Sequence, residues 1–111
     1  MPVTPALRDS EIADAYEENT GHVIVRALRD TDPTAIPAIL VANHGPFTWG
    51  PDPASAAHNA VILESLARMA YFTVALNSSA LPIESGLHDK HYLRKHGKHA
   101  YYGQAKGKKK K

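Results

Sequence analysis

Cysteine is absent from the 111 residues, which excludes disulfides and thiolate metal sites and leaves His, Asp and Glu as the available metal ligands. Long apolar runs are missing as well. No stretch approaches the ~18 to 20 consecutive apolar residues of a transmembrane helix, so no membrane partner is expected. The N-terminus, MPVTPALRDSEIADAYEE, has no basic region followed by an apolar one, so no secretory signal is read there and a cytoplasmic protein is expected. There is no internal repeat. What is present, 43% hydrophobic and 22% charged residues with a mean hydropathy of −0.34, is the composition of a globular protein, and the length fits one domain.

The charge is lopsided. Residues 1–84 carry four arginines and ten acidic side chains, whereas residues 85–111 carry nine basic side chains and only Asp89 as an acid. The ending AKGKKKK supplies five of the lysines. The basic balance therefore describes an appendage rather than a binding face, and residues 105–111 are expected to form a disordered lysine-rich tail. No specific nucleic-acid partner is expected, only weak, salt-sensitive adhesion to polyanions.

Ser10 between Asp9 and Glu11 reads as a helix N-cap, and Ile12, Tyr16, Val23 and Ala27 follow at helical spacing, so the pattern predicts an amphipathic helix from about 10 to 29, with Gly21 as its weak point. After the proline-punctuated TDPTAIPA, the run Ala38–Ala42 reads as a buried strand ending at Asn43-His44-Gly45-Pro46. A long helix from about 53 to 77, apolar over much of its circumference, is expected to sit deep, with Pro53 in its first turn and Asn77-Ser78-Ser79 at its end. A polar, His-rich stretch from about 84 to 97 completes the ordered chain. A lone strand leaves two unpaired edges, so the chain reads as part of a larger sheet protein.

His44 follows the expected strand, where open α/β sheets place ligand loops. On position alone, a turn histidine without a role stands slightly ahead of a zinc ligand. A catalytic zinc needs about three protein ligands, and no His-x-His or His-Glu-x-x-His occurs. His88, His91, His96 and His99 lie among Lys90, Arg94, Lys95 and Lys98, which offers either a cationic face for phosphate or a solvated basic surface. His22 and His58 fall within helices and read as structural or exposed. Tyr101 and Tyr102 are candidates for proton transfer if a cation lies nearby, or for packing.

Four segments together resemble the class II aldolase and epimerase family, and within it the bacterial sugar-phosphate 4-epimerases: Gly21-His-Val-Ile-Val25, Asn43-His-Gly-Pro-Phe-Thr-Trp-Gly50, Ala57-His-Asn-Ala-Val-Ile-Leu-Glu64, and Asp89-Lys-His-Tyr-Leu-Arg-Lys-His-Gly-Lys-His-Ala-Tyr-Tyr-Gly-Gln104. The second and fourth segments are the specific ones, and the fourth is an epimerase ending. The resemblance implies an α/β fold: residues 1–104 as the C-terminal half of a three-layer α/β/α class II aldolase domain, mostly helical with one or two central strands. It implies zinc, with His44 as one ligand and the others in a missing N-terminal half. It further implies Tyr102 as the catalytic tyrosine and His91 as a residue lining the substrate site. The implied activity is isomerisation of L-ribulose 5-phosphate and D-xylulose 5-phosphate by zinc-assisted retro-aldol and aldol steps, part of arabinose catabolism. The implied assembly is a homotetramer or a pairing with an N-terminal half, and the chain is expected to be a truncated form inactive alone. A sugar-phosphate aldolase of the fuculose-phosphate type and a non-catalytic remnant or assembly partner are the competing readings.

Overall fold

The computed structural model describes residues 1–103. They fall into two units, residues 1–75 and the residues from 76 onward. Gln104 and the expected lysine tail at 105–111 lie outside the described residues.

The first unit begins with two helices where one was expected: α1 (Asp9–Ala13) and α2 (Tyr16–Ala27). The break falls at Asp14–Ala15, where Ala15 takes a left-handed conformation with φ 48 and ψ 48, and not at Gly21, which lies inside α2. A left-handed alanine costs about 1–2 kcal/mol. The amide of Asn19 offsets part of this by donating to the carbonyls of Glu11 (3.0 Å) and Asp14 (2.7 Å), which the break leaves without helical partners. The carboxylate of Glu11 ties the corner together. It accepts from the Arg8 backbone N–H (2.9 Å) and Nη2 (3.1 Å) and lies 3.6 Å from Arg26 Nη2. The hydrogen bond from the Arg8 side chain is the main reason its pKa falls to about 2.

Strand β1 (Ala38–Val41) is found where the apolar run predicts it, but it is not a lone strand. It pairs antiparallel with β2 (Gly45–Thr48) in the register Val41 with Gly45 and Ala38 with Thr48. Its other edge is met in parallel by Val3, through Thr4 N–H to Leu40 O (2.9 Å) and Leu40 N–H to Pro2 O (3.1 Å). The expected unpaired edges of β1 are therefore corrected: both are used. Ala38, Ile39 and Val41 are buried, β1 is in contact with α2, and Ile39 and Val23 of α2 are the largest fully buried side chains among the described residues. Each such side chain contributes about 1.5–3 kcal/mol by leaving water.

Helix α3 (Pro53–Leu76) has nearly the expected limits. Its start is fixed by three contacts. Asp52 Oδ1 accepts from the Ser55 N–H (2.7 Å), Thr48 Oγ1 donates to Ala56 O (3.0 Å), and the Asn59 amide donates to Trp49 O (2.7 Å). Gly50 is required here, because a Cβ would sit 2.7 Å from Ser55 Cβ. The helix ends in a turn closed by Ser79 N–H on Asn77 Oδ1 (3.0 Å). The expectation that α3 sits deep is corrected. Leu63 is its one buried residue among the described side chains, while Val61, Leu66, Met69, Phe72 and Val74 are exposed. The sequence supplies the apolar surface, but among the described residues no other element of the first unit packs over it. By length and composition alone α3 could also cross a membrane, contrary to the expectation from apolar runs, although core helices of soluble proteins meet the same criterion.

The second unit holds α4 (Ser85–His96), matching the polar stretch expected at 84–97. Among the described residues the fold is thus four helices and one two-stranded sheet, an α/β arrangement.

Candidate functional site

His44 stands at the end of the hairpin loop Ala42–His44 that joins β1 to β2. The His44 N–H donates to Val41 O (3.0 Å), and Asn43 adopts a positive φ of 61, a conformation that asparagine tolerates better than most residues. The Ala42 N–H donates to Thr4 Oγ1 (3.1 Å), so the buried Thr4 anchors the loop to the N-terminal segment. The loop precedes Gly45-Pro46, which open β2. The imidazole is exposed, flanked by the rings of Phe47 (5.1 Å between centroids) and Tyr16 (6.5 Å). No group of three potential metal ligands occurs among the described residues.

A broad cavity of about 950 Å³ lies nearby in sequence, between Trp49, the loop at Pro33–Pro37 and the first turns of α3. The Trp49 indole N–H donates to Pro33 O (2.8 Å) and closes one wall. His58 lines this cavity. His22 instead pairs with Glu18 at 3.4 Å on the surface of α2.

Tyr102 belongs to the second unit. After α4 the backbone turns at Gly97, where a Cβ would lie 2.5 Å from Leu93 O, so only glycine lets the chain close this tightly. The N–H groups of Tyr101 and Tyr102 both donate to Arg94 O (2.9 and 3.0 Å), folding the tyrosine pair back along the helix. The Arg94 guanidinium then lies 4.5 Å from the centre of the Tyr102 ring, and Lys95 Nζ lies 5.6 Å from it. Both contacts are cations resting against the ring of one tyrosine. His91 is exposed on α4, one turn before Arg94, while His96 stacks on Tyr92 at 4.9 Å. His88 Nδ1 lies 3.4 Å from Asp89.

The structure thus brings Tyr102 to Arg94 and Lys95, places His91 on the same helix, and holds His44 in the other unit. The sequence reading asked for a cation near the tyrosines but left Arg94 and Lys95 in a basic cluster that was either a face for phosphate or a solvated surface. The usable signal was the helix-ending Gly97 between the basic turn and the tyrosine pair.

Comparison with known proteins agrees with these motifs. Residues 2–71 match the family model described as Class II Aldolase and Adducin N-terminal domain. A protein of Salmonella paratyphi B named L-ribulose-5-phosphate 4-epimerase UlaF is 47% identical over 104 residues, covering 94% of this chain and 46% of that protein. Proteins of the same name from Salmonella paratyphi A and Salmonella typhi match with the same identity and coverage. The chain therefore spans about half the length of these relatives. Its assignment to their C-terminal half is not borne out: the matched model is described as an N-terminal domain, and the coverage gives an extent, not a position. What the Asn43–Gly50 loop, the 47% identity and the family match establish together is that this chain belongs to the class II aldolase family.

Proposed function

We propose that the chain is a portion of an L-ribulose-5-phosphate 4-epimerase, an isomerase that interconverts L-ribulose 5-phosphate and D-xylulose 5-phosphate. The observation that carries this reading is the 47% identity over nearly the whole chain to proteins named for that activity. The reaction breaks the C3–C4 bond and re-forms it with inverted configuration at C4. Tyr102 holds or releases the proton of the C4 hydroxyl, and Arg94 and Lys95 hold its ring in place. His91 lines the same substrate site.

The residues present do not by themselves fit a zinc site, since His44 stands between two aromatic rings and no three-ligand group accompanies it among the described residues. Zinc is read here as held by His44 together with ligands outside this chain, so the chain alone is inactive. The exposed apolar side chains of α3 support the same conclusion, because the expected three-layer α/β/α domain would cover them. The complete enzyme is read as a cytoplasmic homotetramer.

The test is conversion of L-ribulose 5-phosphate by the chain mixed with the part of the Salmonella relative that it does not match. The mixture should epimerise at C4, and Tyr102→Phe should slow it by about 10²- to 10⁴-fold, the usual contribution of a positioned acid or base. No conversion by a folded mixed complex, or full activity of the Tyr102→Phe variant, would overturn the reading.

A further inference from the structure

The turn that carries Tyr102 also builds a second feature. Lys90, Arg94, Lys98, His99 and Tyr101 line a cavity of about 290 Å³ within the second unit, close to the lower bound of about 300 Å³ for small-ligand pockets. Three of these side chains are permanent cations, and none is an acid. Lys90 and Arg94 stand one helical turn apart, and the hydrogen bonds of Gly97 to Leu93 O (2.8 Å) and of Tyr101 to Arg94 O (2.9 Å) hold the following turn against them. No carboxylate among the described residues pairs with Lys90, Arg94 or Lys98, and the neighbouring Asp89 faces His88 Nδ1 at 3.4 Å. One face of the Arg94 guanidinium rests on the Tyr102 ring, and its buried Nε finds no acceptor among the described residues. Like charges gathered without a counter-ion repel one another, and a bound anion removes that cost.

We propose that this cavity binds the phosphate group of a small phosphate monoester. A dianion matches three cations lining one cavity better than a monovalent anion does. The planar donor fork of arginine suits a tetrahedral phosphate. Site and ligand class follow from α4 and the turn after it alone, and therefore stand or fall separately from the epimerase reading.

The experiment is an NMR titration of the full chain at constant ionic strength, following the backbone amides of Lys90, Arg94, Lys98 and Tyr101, with glycerol 3-phosphate and orthophosphate as separate probes. Calorimetric titration makes the same comparison at lower protein concentration. Glycerol 3-phosphate should give saturable shifts confined to this turn, at or below the concentration that orthophosphate requires. The Lys90→Gln/Lys98→Gln double variant changes two exposed side chains and should weaken binding by about tenfold or more, equivalent to about 1.4 kcal/mol. A chain ending at Gln104 should bind as the parent does. Shifts that fail to saturate, binding lost with the lysine ending but kept in the double variant, or response to orthophosphate alone would overturn the proposal.

Discussion

Two parts of the first unit use similar residues to opposite effect. Around β1, Val23, Ile39 and Val41 are buried to within a few percent of complete enclosure; along α3, Val61, Leu66, Phe72 and Val74 stand roughly half to two-thirds exposed. Apolar content does not separate the two regions. The difference lies in neighbours: β1 has β2 on one side, the N-terminal segment on the other and α2 against its face, while among the described residues of the first unit α3 is fastened through its first turns. Hydrophobic side chains stabilise a fold only to the extent that something removes them from water, so α3 carries stabilising potential that this chain alone does not realise.

The sharpest way to break that comparison is truncation in both regions. Ile39→Ala should destabilise the chain by about 2–5 kcal/mol, because a fully enclosed side chain leaves a cavity. Leu66→Ala, by contrast, should change stability by no more than about 0.5 kcal/mol, as expected of exposed sites. Denaturant unfolding of the two variants measures both. Equal losses would mean that α3 is packed in solution.

Gly97→Ala should have the next largest effect, confined to the second unit. Its Cβ would collide with Leu93 O, so the turn must open, at a cost of about 1–3 kcal/mol as in other overpacked sites. The Tyr101 and Tyr102 amides should then lose hydrogen-exchange protection while the amides of β1 keep theirs.

Asp52→Ala removes the carboxylate that accepts from Ser55 at the start of α3 and should cost about 1 kcal/mol, read as increased fraying of the first helical turn. Asp52 also has a lowered pKa, chiefly through the Ser55 backbone hydrogen bond.

The smallest effect is a pH dependence at the α1–α2 corner. The folded-state pKa of Glu11 lies near 2 against an ordinary value of 4.5. Its contribution is therefore present above pH 4.5 and is lost as the pH falls towards 2. Glu11→Gln should flatten that part of the acid-unfolding curve while leaving neutral pH behaviour nearly unchanged.

The contrast between β1 and α3 also marks what could be read from sequence. The limits of β1, α3 and α4 were legible because each has a clear period or run bounded by Pro, Gly or Asn. β2 was not, since Gly45-Pro46-Phe47-Thr48 opens with two residues that weaken strands, and it is stabilised by its partner rather than by its own propensity. The break at Ala15 carries no local signal, because alanine favours helix and the kink depends on Asn19 reaching back from a turn away. The depth of α3 was misjudged because periodicity reports where apolar residues lie and says nothing of what covers them. At the site, the place of His44 just after β1 was legible from the apolar run that precedes it. The clamp of Arg94 and Lys95 on Tyr102 was not, because it depends on a reversal at Gly97 that brings residues eight and seven apart into contact.

The claim that this chain holds only part of a catalytic centre is tested most directly by zinc content after dialysis against a mild chelator. The chain alone should retain well under one zinc per chain, and the mixture with the unmatched part of a Salmonella relative should retain about one per chain and lose it on His44→Ala, consistent with a site of about three protein ligands. Stoichiometric zinc held by the chain alone and abolished by His44→Ala would contradict the account.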